Sequence, residues 1–427
     1  MLDIIDLKNC PCGYDHPEIN MKVEIGQGLL LKSAEILKDF PKNILVVADK
    51  NTIKASEGLL EVLSSGGFTY QLHCYDDCTE ANITNVKEIE QLSAPHDGIL
   101  AVGSGSIGDI CRMASFNAKK DFAIFATAPS MDGYASNASP IIFGNFKETV
   151  QCHGPSVIIG DTDILAKAPA FLKSSGFSDV IAKYVALADW KIAALVASEY
   201  YCPNVAKMVK DALEKTMSLA DNVTNEDPET AKAVMEALVM SGICMILADS
   251  TRPASAAEHL IAHYFEIKKL ERKERMPFHG EKVGVGTLMI AKLYHDIVGR
   301  SPTFGKDNVD WDEVYKAYGS NFKEEVDRFN NPSIMDKVDI EIVKENWQKI
   351  CEIIKQDLPT YEELLKLMNR AKALTTLESI EVDKELAHDG AKYHPYMRYR
   401  INLTRLIPTL GLDIDYHALV KQLPHVS

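Results

Sequence analysis

The sequence predicts an α/β domain over residues 1–165 followed by an all-α domain over residues 166–427. Three observations predict it. Short apolar runs recur through the first part, each followed by a stretch with helical patterning, which is the signature of βαβ units and a parallel sheet covered on both faces. Beyond about Asp161 the pattern changes to long segments of 3.6-residue periodicity, and strand candidates nearly vanish. Turns rich in glycine and hydroxyls follow two of the apolar runs, where ligands bind in open α/β sheets.

The expected strands are Asn43–Asp49 (NILVVAD), 68–75 (FTYQLHCY), Gly98–Gly103 (GILAVG), 122–128 (FAIFATA) and 156–160 (SVIIG). Several are continuous apolar runs, as strands buried on both faces should be. Helices are expected between them over 51–65, 83–93 and 107–118. The second part carries helical periodicity over 179–198, 204–220, 228–248, 255–272, 282–298, 310–328, 337–355 and 359–373. The charged run 264–275 (YFEIKKLERKER) reads as a solvated helix end and loop.

Of 427 residues, 46 are Lys or Arg and 61 are Asp or Glu, a formal charge of −15. Such a surface repels phosphate backbones, so nucleic acid is not an expected partner, and an anionic substrate needs a local basic pocket. No run of about 18 apolar residues is present, so no membrane span is expected. The N-terminal residues lack the basic and apolar regions of a secretory signal. The nine cysteines are scattered, with Cys10-x-Cys12 and Cys74-x3-Cys78 the only close pairs. They read as reduced thiols in a cytoplasmic protein.

Gly103-Ser-Gly105-Ser106-Ile107-Gly108 follows a strand and opens a helix. Glycines there let backbone N–H groups approach a pyrophosphate at the helix N-terminus. The usual dinucleotide fingerprint lies in the first βα unit with an acid about 20 residues downstream. Here the acid at a strand end is upstream, at Asp49, so a dinucleotide would use a variant layout. Asp49 would accept hydrogen bonds from the adenosine ribose and repel a 2′-phosphate, favouring NAD over NADP. Asp109 complements the helix dipole. The loop Thr127-Ala128-Pro129-Ser130-Met131-Asp132-Gly133-Tyr134-Ala135-Ser136 leaves the next strand beside it.

Ser255-x-x-Glu258 has the form of a capping box, so a helix is expected to start at Ser255. His259 and His263 then share one face, and His279 follows twenty residues after His259. Imidazoles are common ligands of Zn2+, Ni2+ and Fe2+. The residues between the first two are Leu, Ile and Ala, so the general base of a zinc protease is missing. Asp179, with Lys183 one turn on, is a possible third ligand, with helix capping by Ser178 or Asp179 as the plainer reading.

The stretches VGSGSIGD, TAPSMDGYAS, SGFSDVIAKYVALADWK, DSTRPASAAEHLIAHYF and FHGEKVGVGT resemble sn-glycerol-1-phosphate dehydrogenases, in their longer bacterial branch. That superfamily also holds iron-type alcohol dehydrogenases, glycerol dehydrogenases and dehydroquinate synthases. The likeness covers about residues 43–290 and is weak past 300. Departures are the GSGS loop, Met131 where many members have His, and a longer His259–His279 separation.

The resemblance implies a dehydroquinate synthase-like architecture: a Rossmann-like dinucleotide domain, a helical domain and a cleft between them. It implies reduction of dihydroxyacetone phosphate to sn-glycerol 1-phosphate by NAD(H) or NADP(H), with one divalent metal (Zn2+, Ni2+ or Fe2+). Carried over by position, Asp179, His259 and His279 would hold the metal. Gly105, Ser106, Ile107, Gly108, Asp109, Thr127, Ala128, Pro129, Ser130 and Ser136 would hold the dinucleotide, with Asp49 near its adenosine end. Asp132, Asp179 and His263 would face the substrate, and Lys183, Arg252 and Lys282 are the cations beside these motifs for its phosphate. Asp179, His259, His263 and His279 thus form the expected catalytic group. The resemblance also implies a homodimer. The alternatives are a glycerol dehydrogenase acting on plain polyols, a dehydroquinate synthase-like cyclase and a non-catalytic metal- or nucleotide-binding scaffold.

Overall fold

In a computed structural model, residues 2, 4–78, 80–144 and 146–424 are described. The chain forms two compact units: residues 1–10, 15–180 and 207–250 in the first, and 11–14, 181–206 and 251–427 in the second. The expected boundary after residue 165 lies within the first unit, because the helices that follow the last strand pack with the sheet.

The first unit is built on six parallel strands: β1 (Lys22–Gly26), β2 (Asn43–Asp49), β3 (Thr69–Tyr75), β4 (Gly98–Gly103), β5 (Asp121–Ala126) and β8 (Val157–Asp161). A separate antiparallel hairpin pairs β6 (Ala138–Phe143) with β7 (Phe146–Gln151). The sheet order is β1-β8-β5-β4-β2-β3. Ile44, Val46 and Ala48 of β2 share one buried face with Leu100, Val102, Ala123, Phe125 and Ile159, covered by Leu37, Phe40, Leu59 and Leu63. Leu45 and Val47, pointing the other way, are also fully buried. Burial on both faces explains the unbroken apolar runs.

The chain runs from β2 outward to β3 and then returns past β2 to β4. That reversal is the topological switch point of the sheet, and the carboxyl ends of β2 and β4 flank it. Asp49 and Gly103 are the terminal residues of those two strands.

β1, β6 and β7 were not among the expected strands. β1 is a five-residue edge strand whose two charges break up its apolar pattern. β6 and β7 carry Pro140, Lys147 and Glu148, which suit a hairpin outside the main sheet. The strand expected to reach residue 128 stops at Ala126. The helix expected over 51–65 is two, Lys50–Ala55 and Leu59–Ser65, because Gly58 takes φ +94° between them. Helix Pro228–Leu247 is the one helix among the described residues long and apolar enough to cross a membrane, and 78% of its apolar window is buried within the protein.

The second unit is helical among its described residues. Lys183–Ala197, Ala257–Arg272 and His279–Val298 form its centre, and Ile340–Asp357 packs on the first and third of them. Ala182, Ala262 and Val283, all fully buried, meet in one cluster. A Cβ on Gly286 would lie 2.6 Å from the Glu258 carbonyl oxygen, so this glycine lets helices Ala257–Arg272 and His279–Val298 cross in close contact. The helix expected over 310–328 is interrupted at Gly319 (φ +84°).

Candidate active site

The loop after β4 turns directly into helix Gly105–Ala118. Gly108 N–H donates to Ser104 O at 3.0 Å, so the amides of Gly105, Ser106 and Ile107 precede the intrahelical ladder. A Cβ on Gly105 would sit 3.2 Å from Met131 Cε, which ties the glycine loop to the 127–136 loop. Asp49 Oδ1 accepts the amides of Asn51 and Thr52 at 2.8 Å each and caps the next helix. Its Oδ2 has no partner among the described residues and lies at the switch point.

Asp109 is used inside the protein. Its carboxylate pairs with the buried Arg112 at 2.6 Å, and burial, opposed by Arg112 and Lys147, pushes its pKa up to about 6. Arg112 also donates to the carbonyls of Gly133, Tyr134 and Ala138. The pair therefore shapes the 127–136 loop from beneath.

That loop is clamped from several sides. Thr127 N–H donates to Gly103 O at 3.1 Å, and Tyr134 Oη donates to Ala128 O. Asp132 N–H donates to Asp179 Oδ2 at 2.9 Å, and Ser241 Oγ donates to Asp132 Oδ2 at 3.1 Å. Ser175 Oγ reaches Ser130 O, and Ser136 Oγ accepts the Ala138 amide. Gly176 touches Pro129 so closely that a Cβ would be 1.9 Å from its carbonyl oxygen. Gly242 meets Ala135 in the same way, at 2.9 Å. Motif reading missed Gly176, Ser241 and Gly242. Small residues inside apolar helices were the available signal.

Asp179 does not cap a helix. It lies in the last turn of Ala170–Ile181, and Ser178 Oγ is buried with no hydrogen-bond partner among the described residues. The capping box at Ser255 also does not form. The helix starts at Ala257, and Glu258 Oε1 instead accepts the Ala256 amide at 3.0 Å and faces His259 Nδ1 at 2.6 Å.

The three predicted histidines converge at the starts of two helices. Ring centroids lie 5.3 Å apart for His259 and His279, 6.4 Å for His259 and His263, and 6.3 Å for His263 and His279. His263 Nδ1 faces Glu266 Oε2 at 2.8 Å, and Lys282 pairs with Glu266 Oε1 at 3.0 Å. Burial holds the His263 pKa below its ordinary value, with Arg398 and His259 adding to the effect and Glu266 opposing it. Glu266 and Lys269 are buried, so the expected solvated end of this helix faces inward over much of its length.

Asp189, absent from the predicted site, braces this cluster. Its carboxylate accepts Tyr294 Oη at 2.8 Å, Leu403 N–H at 3.0 Å and Ala257 N–H at 3.3 Å. Burial is the main force pushing its pKa up to about 7. A lone acid inside the apolar run KYVALADWKIAALVA was its signature. Arg252 is committed to both carboxylate oxygens of Glu199 and to Ile401 O at 2.6 Å, an ion-pair role rather than a phosphate-binding one. Lys183 opens its helix and is 2% exposed.

The pattern of the family described as iron-containing alcohol dehydrogenase matches residues 24–169. Glycerol-1-phosphate dehydrogenase (NAD(P)+) of Bacillus licheniformis is 27% identical over 411 residues, covering 94% of this chain and 92% of that protein. The Bacillus subtilis (strain 168) enzyme of the same name is 34% identical, covering 62% and 70%. The Methanothermobacter thermautotrophicus one is 30% identical, covering 65% and 79%. Among solved structures, glycerol dehydrogenase from Schizosaccharomyces pombe shares the fold, with a TM-score of 0.63, 18% identity and coverage of 95% and 89%. The chain belongs to the family of NAD(P)-linked glycerol-1-phosphate dehydrogenases.

Proposed function

We propose that the protein reduces dihydroxyacetone phosphate to sn-glycerol 1-phosphate with NADH or NADPH, using one divalent cation held by Asp179, His259 and His279. The observation that carries this reading is the convergence of His259, His263 and His279 at the starts of two helices. Below them Ala182, Ala262 and Val283 pack together, and one turn before each of these stands a proposed ligand.

The donor set fits the cation. Glu258 facing His259 Nδ1 holds the ring in the tautomer that leaves Nε2 to ligate. One carboxylate and two imidazoles suit Zn2+, Ni2+ or Fe2+ and leave coordination positions for substrate. When bound, the metal supplies Lewis-acid polarisation of the ketone and the nicotinamide supplies hydride.

The chain's own residues do the rest. The amides of Gly105, Ser106 and Ile107, which precede the intrahelical ladder, bind the pyrophosphate at the switch point. Asp49 Oδ2 takes the adenosine ribose. The clamped loop from Thr127 to Ser136 forms the wall for the nicotinamide. Asp132, oriented by Ser241, and Lys183 hold substrate hydroxyls. His263, beside both other rings, relays a proton from solvent to the product oxygen, taking one up as it gives one. No disulfide joins any of the nine cysteines among the described residues, in keeping with a cytoplasmic protein, and the family resemblance supports a homodimer.

The test is NADH oxidation with dihydroxyacetone phosphate and with dihydroxyacetone, before and after chelation, with chiral analysis of the product. Phosphate-selective, chelator-sensitive turnover to the sn-1 product is expected. Equal turnover of both ketones would mark a plain polyol dehydrogenase.

A further inference from the structure

An acidic protein that takes a phosphorylated ketone needs a cation not already spent on a carboxylate. Arg252 is spent on Glu199 and Lys282 on Glu266. Arg400, in the C-terminal segment that motif reading left without a role, is different. Its Nη1 donates to Ser255 O at 2.5 Å and its Nη2 to Thr251 Oγ1, both neutral acceptors. It has no ion-pair partner among the described residues. Its side chain is half-enclosed.

Those contacts leave Nε–H and one N–H on each Nη available, a fork that matches a phosphate. They also fix the guanidinium to the 251–255 loop, which leads directly into the helix bearing His259 and His263. Burial and the nearby Arg252 bring its pKa down to about 9, partly offset by Glu199, Glu258 and Asp189, so the charge persists at pH 7. A partly desolvated cation held only by neutral groups is costly unless an anion arrives.

Arg398 lies two residues earlier in the chain. The backbone at Arg398 is extended (φ −149°, ψ 150°), and Tyr399 between the two arginines is 40% exposed. Arg398 lies over the Phe329 ring at 5.2 Å and donates to Met397 O at 3.1 Å.

We propose that Arg400 is the subsite for the phosphate dianion of the substrate. This rests on the dihydroxyacetone phosphate reading above and supplies the phosphate recognition that Arg252 does not.

The test uses the metal-loaded enzyme and measures kcat/KM for dihydroxyacetone phosphate and for dihydroxyacetone, together with inhibition of dihydroxyacetone reduction by inorganic phosphate. Losing two charge-assisted hydrogen bonds should lower the preference for the phosphorylated ketone about 100-fold in Arg400→Gln and weaken phosphate inhibition in parallel. Arg400→Lys, which keeps the charge but not the fork, should fall between. If Arg400→Gln does not fold, the Lys variant decides: wild-type preference and wild-type phosphate inhibition would overturn the proposal. An unchanged preference in Arg400→Gln would overturn it equally. If the wild-type enzyme shows no preference for the phosphorylated ketone, the function proposed above fails first, and this subsite with it.

Discussion

Gly176→Ala tests how the dinucleotide wall is built. The added methyl would stand 1.9 Å from Pro129 O and 2.8 Å from Pro129 C, against an ordinary contact of at least 3.4 Å. Relief needs a displacement of about 1.5 Å, and both opposing atoms are backbone, so no side chain can swing away. The Pro129 segment is also held by Ser175 Oγ on Ser130 O and by Tyr134 Oη on Ala128 O, which raises the cost of moving it. Overpacking of this kind costs about 3 kcal/mol, the top of its usual range. For a unit of this size that is a fall in Tm of about 6–12 °C. Because the displaced atoms belong to the proposed nicotinamide wall, NADH affinity should weaken about tenfold or more. Differential scanning calorimetry and NADH fluorescence titration read the two effects. A variant with wild-type Tm and wild-type NADH affinity would refute the claim that this glycine sets the position of the loop.

Three further outcomes follow from single groups. Asp49→Asn keeps a cap for helix Lys50–Ala55 but removes the carboxylate proposed to meet the ribose, so the NADPH-to-NADH ratio of kcat/KM should rise about tenfold, and an unchanged ratio would remove Asp49 from that proposed site. Glu258→Gln, whose parent Oε2 is buried without a hydrogen-bond partner among the described residues, should retain the fold yet weaken metal binding about 10–100-fold by equilibrium dialysis, and full affinity would contradict its hold on His259. Burial lowers the His394 pKa from 6.5 to about 4, so this group is neutral in the fold and takes up its proton first when unfolded. Its contribution is complete above pH 6.5 and is lost as pH falls towards 4, by about 3 kcal/mol. Urea unfolding across that range should show a shallower acid loss in His394→Gln, and identical slopes would assign the acid limb to other groups.

Local pattern determined a good deal of this protein. Apolar runs such as NILVVAD and GILAVG marked β2 and β4 to the residue, because strands buried on both faces leave no room for polar side chains. The histidine pair on one helix and the glycine turn were legible because each depends on neighbours within a few residues. What failed in the sequence was decided elsewhere. Ser255-x-x-Glu258 has the letters of a capping box, yet Glu258 turns to His259 because the buried imidazole needs an acceptor more than the helix needs that cap. Arg252 beside the histidine motif looked like a phosphate ligand, yet its Nε and Nη2 donate to Glu199, 53 residues away, and its Nη1 to Ile401 O. Arg400 lies 145 residues from Ser255, a separation that no local signal bridges. Spacing along the chain states which groups can share a helix face. Only the folded packing decides which cation finds a carboxylate first and which is left for an incoming anion, because that outcome depends on burial and on partners brought together from distant parts of the chain.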